Sequence, residues 1–100
     1  MLQQILQQQS VKNMNIGVIG YGVVGKAADN TFRKKYKTIK FDKYQALSSF
    51  NHLENCDFIF IMVPTPFDCR KKQVDDSAIL ESLEKLEKLD YSGIVIIKST

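Results

Sequence analysis

Three glycines near the start of the chain have the spacing that binds the pyrophosphate of a dinucleotide. Residues 20–25 read G-Y-G-V-V-G, a G-x-G-x-x-G motif between an apolar run and a helical pattern. In such a turn Gly20 permits the tight bend, Gly22 leaves room for the pyrophosphate, and Gly25 lets the helix pack close to the strand. The free N–H groups and the dipole at the helix start then favour an anion. The alternative is a glycine-rich turn that binds no ligand.

An acidic residue ends the next predicted strand. Asp42 lies 17 residues after Gly25, near the spacing of about 20 at which a carboxylate meets the adenine-side ribose of a dinucleotide. Its carboxylate would accept hydrogen bonds from the ribose hydroxyls and repel a 2′-phosphate, which favours NAD over NADP. Lys43 follows directly and weakens that discrimination. The alternative for Asp42 is a surface position in a turn.

A third group of residues ends two further predicted strands. Val63, Pro64 and Thr65 follow an apolar strand, and Ser99 and Thr100 end the next one. Ligands of open α/β sheets bind outside the carboxyl ends of the strands. We therefore expect these residues to converge with the glycine motif on one crevice. The alternative is that the prolines of the V-P-T-P segment do no more than end their strand.

Four parallel strands and the helices between them would bring these residues together. Apolar and β-branched runs predict strands at 15–20, 38–42, 57–63 and 94–98. Helical periodicity predicts helices at 23–35 and 75–90, and a weaker pattern within 43–55 is compatible with a short helix. This alternation predicts an α/β fold, a Rossmann-like parallel four-stranded sheet in the order 2-1-3-4 with flanking helices.

Both predicted helices are amphipathic. The apolar face of helix 23–35 consists of Val24, Ala27, Ala28, Thr31 and Phe32, and Asp29 falls outside it. The apolar stripe of helix 75–90 consists of Ile79, Leu80, Leu83, Leu86 and Leu89. We expect Asp75 or Asp76 to cap the start of that helix and Ser92-Gly93 to end it. The segment 67–74 is predicted to be a polar loop.

Composition and charge restrict the classes of function. The chain has 100 residues, a net charge of +3 and two cysteines, which predicts one small domain without a disulfide framework. Its basic residues lack interleaved aromatics, so we predict no nucleic-acid partner. No apolar segment is long enough to span a membrane, and we expect a cytoplasmic protein with reduced thiols. His52 has no partner at motif spacing, and no metal-ligand spacing occurs, so we predict no metal site.

The motifs together resemble the amino-terminal part of the UDP-glucose/GDP-mannose dehydrogenase family. The matching segments are MNIGVIGYGVVGKA at 14–27, FDK at 41–43, CDFIFIMVPTPFD at 56–68 and GIVIIKST at 93–100. The glycine motif is common to many Rossmann proteins, whereas a V-P-T-P loop followed one helix later by I-K-S-T is much more specific. The resemblance covers nearly the whole chain but only the beginning of a family member.

The resemblance implies a function and a set of cofactor contacts. Members oxidise the C6 alcohol of a nucleotide sugar to a carboxylate in two NAD-dependent steps. The residues that would contact NAD are Gly20, Tyr21, Gly22, Val23, Val24, Gly25, Asp42, Val63, Pro64, Thr65, Ser99 and Thr100. The family's catalytic residues lie beyond this chain, so we predict no catalytic residue here, and a UDP-sugar partner only when further domains are present. The stretch between Asp42 and Asp57 is shorter than is typical of the family.

The predicted domain organisation is a poorly structured, Gln-rich leader at 1–13 and a partial dinucleotide-binding domain at 14–100. No helix follows the last predicted strand, which would leave an unpaired edge and an uncovered face. We therefore expect a sheet that is incomplete at its C-terminus or completed by another chain, as in a homo-oligomer. Two other functions stay open: a catalytically inactive truncated nucleotide-binding or interaction module, and the NAD-binding part of another Rossmann dehydrogenase.

Overall fold

Strands and helices alternate along the chain, as the hydrophobic pattern predicts. The computed structural model describes residues 14–98, and the predicted leader 1–13, Ser99 and Thr100 lie outside this range. In chain order the elements are β1 (Asn15–Ile19), α1 (Val23–Phe32), β2 (Lys37–Phe41), a 3₁₀ helix (Phe50–Asn55), β3 (Phe58–Ile61), β4 (Phe67–Asp68), β5 (Gln73–Val74), α2 (Ser77–Lys88) and β6 (Ile94–Ile97).

The four long strands form one parallel sheet in the order β2-β1-β3-β6. This confirms the predicted α/β class, the parallel sheet and its strand order. β1 and β3 occupy the centre, where Ile16, Val18, Ile59 and Ile61 are buried because helices cover the sheet. The order is consistent with a Rossmann-like fold, in which strand order reverses beside the first strand.

Side chains that alternate along the strands face two different layers. On one face α1 packs on the sheet, with the Phe32 and Phe60 rings 4.9 Å apart between centroids. On the other face the 3₁₀ helix and α2 cover a core of Ile19, Leu53, Cys56, Ile59, Ile61 and Leu86. Gly17 fits beneath this second layer because a Cβ there would lie 2.8 Å from Leu53.

The buried side of α1 differs from the prediction. Asp29, which the pattern assigns to a position outside the apolar face, is completely buried, whereas Ala27 and Thr31 are exposed. The buried stripe is centred on Gly25 and Asp29 instead. A hydrophobic pattern assigns a carboxylate to the solvent-facing side of a helix. Asp29 can be buried because Lys40 on β2 and Tyr21 in the glycine turn are its partners.

α2 ends earlier than predicted, and Ser92-Gly93 does not end it. Asp90 adopts a left-handed conformation with φ of 57°. Its N–H donates to the Glu87 carbonyl, and the Tyr91 N–H donates to the Leu86 carbonyl, both at 3.0 Å. These two bonds form a Schellman motif.

The start of α2 and one position of its apolar stripe also differ in detail from the prediction. Asp76 stands at the cap position but makes no side-chain cap bond. The Asp75 carboxylate accepts the Ser77 N–H at 3.0 Å instead. Leu80, predicted in the apolar stripe, is 52% exposed.

The predicted polar loop at 67–74 contains a short antiparallel hairpin of β4 and β5. Phe67 pairs with Val74, and the turn includes Lys72 with φ of 53°. The pattern missed it because each strand has two residues. No helix within residues 14–98 has the length and apolar character that crossing a membrane requires.

Candidate functional site

A cavity of about 450 Å³ opens outside the carboxyl ends of β1, β2 and β3. Its walls are the glycine turn with the start of α1, the turn after β2, and one face of α2. The lining residues are Ile19, Gly20, Gly22, Val23, Val24, Phe41, Asp42, Lys43, Tyr44, Phe50, Met62, Val63, Pro64, Ala78, Glu81, Ser82 and Lys85. The volume falls in the range of about 300–1,000 Å³ that small-molecule and cofactor sites occupy.

Two glycines of the motif are required by the fold itself. Gly20 has φ of +94°, and a Cβ there would lie 2.6 Å from the Met62 carbonyl oxygen. A Cβ on Gly25 would overlap the Gly20 carbonyl oxygen, because α1 starts directly against the end of β1. Their presence is therefore explained without a ligand.

Gly22 differs from the other two glycines of the motif. No atom lies within 4 Å of the position that its Cβ would occupy, and its φ of −81° is open to any residue. It is the N-cap of α1, and no side-chain bond caps that helix. The first N–H groups of α1 are therefore left to water or a ligand at the edge of the cavity.

Apolar surface is exposed at the same edge. Val23, the first residue of α1, is 87% exposed, and Tyr44, in the turn opposite, is 84% exposed. Both line the cavity. They are the most exposed of the large hydrophobic side chains in the described part of the chain. A ligand in the cavity would cover this apolar surface, and its removal from water would favour binding.

Tyr21 is held at each of its polar groups. Its N–H donates to Asp42 Oδ2 at 2.7 Å, and its carbonyl accepts the Gln45 amide at 2.9 Å. Its phenol donates to Asp29 Oδ2 at 2.5 Å, and this hydrogen bond raises the pKa of Tyr21. The glycine turn is thereby hydrogen-bonded to α1 and to the segment after β2.

The buried Asp29 carboxylate forms the base of this arrangement. Lys40 Nζ lies 3.2 Å from Asp29 Oδ2 and 5.5 Å from the centroid of the Tyr21 ring. Lys26 approaches the same ring at 5.9 Å. Asp29 Oδ1 has no hydrogen-bond partner among the described residues. One phenol and one ammonium thus compensate a charge that burial would otherwise make very costly.

The two carboxylate oxygens of Asp42 accept hydrogen bonds from two different parts of the backbone. Its Oδ2 fixes the glycine turn through Tyr21, and its Oδ1 accepts the Tyr44 N–H at 2.8 Å within its own turn. The carboxylate is half-buried and lines the cavity. Each oxygen keeps a second acceptor position, so Asp42 can still accept hydroxyl groups from a ligand.

Three further charged residues line the cavity beside Asp42. Glu81 on α2 lies 3.1 Å from Lys43 Nζ and 3.5 Å from Lys85 Nζ. The hydrogen bond between Lys43 and Glu81 lowers the pKa of Glu81 and raises the pKa of Lys43. Lys85 Nζ also lies over the rings of Phe41 and Phe50, at 5.4 Å and 5.6 Å.

The third predicted group reaches the cavity in part. Val63 and Pro64 line it, and Thr65 does not. Of the predicted residues in the glycine turn, Tyr21 and Gly25 do not line it either. Ser99 and Thr100 lie outside the described residues. The ends of β1, β2 and β3 therefore meet at one cavity, and the end of β6 carries no described site residue.

Sequence reasoning missed the wall that α2 provides. Ala78, Glu81, Ser82 and Lys85 have the i, i+3, i+4, i+7 spacing of one helix face. This spacing is visible in the sequence beside the apolar stripe. Small and charged residues at helical spacing are, however, equally typical of an ordinary solvent-exposed helix face. The Ser82 hydroxyl donates to the Ala78 carbonyl at 2.9 Å. The Ser82 hydroxyl proton is therefore directed to the helix backbone and not to a general base.

The remaining chemically reactive side chains lie away from the cavity. His52 is exposed in the 3₁₀ helix, and Cys69 is exposed in the hairpin. Cys56 is buried in the core, and burial raises the pKa of its thiol to about 11. Within residues 14–98 no three His, Cys, Asp or Glu side chains are grouped to hold a metal ion.

No protein-family model, curated protein or solved structure matches this chain. The fold and site define an α/β protein with a parallel four-stranded sheet and a cavity of about 450 Å³ at its carboxyl edge.

Proposed function

We propose that the cavity binds NAD and that the chain is the NAD-binding part of a UDP-sugar 6-dehydrogenase-like oxidoreductase. The pyrophosphate would contact the N–H groups at the start of α1, and Asp42 would accept the adenine-side ribose hydroxyls. By the resemblance to the UDP-glucose/GDP-mannose dehydrogenase family, the nicotinamide would lie toward Ser99 and Thr100. Oxidation of a nucleotide-sugar C6 alcohol would require catalytic groups and a sugar site outside this chain.

The observation that carries the proposal is Gly22 at the uncapped start of α1. Gly20 and Gly25 are needed for packing, but nothing in the fold requires a glycine at position 22. A Ser or Asp there would cap the helix with its side chain and contribute about a few tenths of a kcal/mol of stability relative to glycine. A ligand that needs the same N–H groups explains why the cap is missing.

Titration calorimetry with Gly22→Asp tests this proposal. The new carboxylate would cap α1 and occupy the N–H groups that the pyrophosphate needs. We expect wild type to bind NAD saturably and Gly22→Asp to bind it at least about tenfold more weakly, since charge-assisted hydrogen bonds are lost and charge repulsion is gained. The free energy of unfolding should stay equal or rise by a few tenths of a kcal/mol.

Asn30→Asp is the matched control for this experiment. Asn30 is exposed on the same helix, so the substitution makes the same change of net charge away from the cavity. It should leave the NAD dissociation constant within about twofold, since surface substitutions away from a site have small effects. Equal NAD affinity in wild type and Gly22→Asp, or a folded wild type that binds no NAD, would refute the proposal.

A second candidate is an interaction module without catalysis, and the exposed edge of the sheet favours it. Ile94, Ile96 and Ile97 of β6 are 56%, 37% and 47% exposed. An exposed apolar edge strand invites pairing with another chain. If this is the function, sedimentation should detect association that Ile96→Lys abolishes, and NAD should not bind.

A further inference from the structure

Three of the charged side chains that line the cavity are in direct contact with one another. Lys43 belongs to the turn after β2, and Glu81 and Lys85 belong to α2. Glu81 uses one carboxylate oxygen for each lysine, Oε2 for Lys43 and Oε1 for Lys85. Asp42 adds a second negative charge to the same lining. Two carboxylates and two ammonium groups therefore face the cavity.

This balance bears on which adenine nucleotide the cavity accepts. NAD and NADP differ by one phosphate on the adenine-side ribose, which carries a charge of about −1.5 to −2. Sites that accept this phosphate offer a free basic side chain near the end of the second strand. Lys43 stands at that position in the sequence, and on sequence alone it weakens the discrimination that Asp42 provides. In the structure its ammonium group is already paired with Glu81.

We propose that Glu81 is a specificity-determining residue that excludes a 2′-phosphate by holding Lys43 and Lys85. This inference rests on the proposed NAD function and adds a residue on α2 to the selectivity of the same site. Asp42 repels the phosphate, and Glu81 removes the cations that would otherwise attract it. The site is thereby selective for nucleotides with a free ribose 2′-hydroxyl.

The three charged side chains are partly exposed, so they can be substituted without loss of the fold. The side chains of Lys43, Glu81 and Lys85 are 49%, 43% and 41% exposed. Ion pairs this exposed contribute little to folding. Glu81→Gln should therefore leave the fold intact while changing the net charge of the cavity lining from balanced to +1. Far-ultraviolet circular dichroism and a urea midpoint check that the variant is folded.

The experiment measures dissociation constants of NAD and NADP for wild type and Glu81→Gln by titration calorimetry. We expect wild type to prefer NAD, and Glu81→Gln to bind NADP about three- to tenfold more tightly with NAD affinity within about twofold. The gain should shrink at about 1 M salt, where the Debye length is about 3 Å. Adding Lys43→Met to Glu81→Gln should reverse at least half of it.

Glu87→Gln is the matched control, because Glu87 is an exposed residue of α2 that does not line the cavity. It makes the same charge change and should leave the preference for NAD unchanged. If wild type binds NAD but Glu81→Gln and wild type have the same NADP-to-NAD ratio, this inference is overturned and the proposed function stands. If Glu87→Gln produces the same gain, the effect belongs to overall charge and the inference is also overturned. Failure of the folded wild type to bind NAD removes both.

Discussion

At the scale of single residues, the feature that most constrains this molecule is a buried carboxylate. Asp29 is fully buried on α1, and its charge is compensated by Lys40 of β2 and the Tyr21 phenol. Removing one partner of a buried ion pair destabilises a protein more than replacing both partners by apolar residues, because the remaining charge stays buried. The contact therefore ties the glycine turn, α1 and β2 to one another.

Lys40→Met should destabilise the protein by about 2 kcal/mol, because it leaves Asp29 charged and buried with a single donor. The expected cost lies below the range for fully buried pairs, since the Lys40 side chain is 31% exposed. Urea unfolding at pH 7 measures it. The double variant Asp29→Asn with Lys40→Met should recover at least about 1 kcal/mol of this loss. Strictly additive effects of the two substitutions would contradict the proposed coupling.

The buried thiol predicts a loss of stability at alkaline pH. Burial raises the pKa of Cys56 to about 11, whereas an unfolded chain loses this proton near about pH 8.5. The folded state is thus favoured fully below about pH 8.5, and this contribution disappears as the pH rises toward 11. Tyr91, whose pKa burial raises to about 12, adds a similar loss at higher pH.

Urea midpoints measured between pH 8 and 11 test this prediction. The midpoint of wild type should fall across that interval, and that of Cys56→Ala should fall less steeply, whatever its value at pH 7. Cys69→Ala is the control, because the exposed Cys69 thiol contributes no buried group. Equal slopes for wild type and Cys56→Ala would show that burial of this thiol does not control the alkaline transition.

At the scale of elements, the junction between β1 and α1 contains two glycines that packing requires and one that it does not. Gly25→Ala should destabilise the protein by about 2 kcal/mol despite the better helix propensity of alanine, because the added Cβ overlaps the Gly20 carbonyl. Gly22→Ala, three residues earlier, should cost no more than about 1 kcal/mol, because its Cβ meets nothing and the only loss is that alanine is a poorer N-cap than glycine. Thermal and urea unfolding of both variants measure this difference, and similar stabilities would contradict the described junction.

Local structures differ in how far the sequence predicts them. The glycine turn was predictable because its backbone leaves few residues that fit. The end of α2 was not, because Asp90 adopts a left-handed conformation that glycine usually provides and the chain has Ser92-Gly93 two residues later. The hairpin at 67–74 was missed because strands of two residues carry no periodicity.

At the scale of the whole molecule, the sheet order followed from few rules. Near-continuous apolar strands such as β3 must be covered on both faces, and parallel strands joined by helices must cross over right-handedly. These constraints leave the order β2-β1-β3-β6 as the simplest arrangement, and the structure has it. The convergence of Gly22, Asp42 and Val63 on one cavity follows from the same topology.

The part of the site that the sequence did not reveal depends on tertiary contacts. The burial of Asp29 and the pairing of Lys43 with Glu81 each join residues that are distant in the chain. A binary pattern assigns every charged residue to solvent, and only the packed structure shows which charges have partners. The contacts on which the proposed selectivity depends, and those that fix the glycine turn, are therefore visible only in the folded molecule.

The most direct test of the NAD site is a titration of NAD into the ¹⁵N-labelled protein followed by two-dimensional amide spectra. Binding as proposed should produce saturable shifts that are largest for the amides of Gly22, Val23 and Val24, with smaller shifts near Asp42. The amides of the hairpin at 67–74 should not move. Saturable shifts centred elsewhere, or no shifts from a folded protein, would contradict the assignment of this cavity as an NAD site.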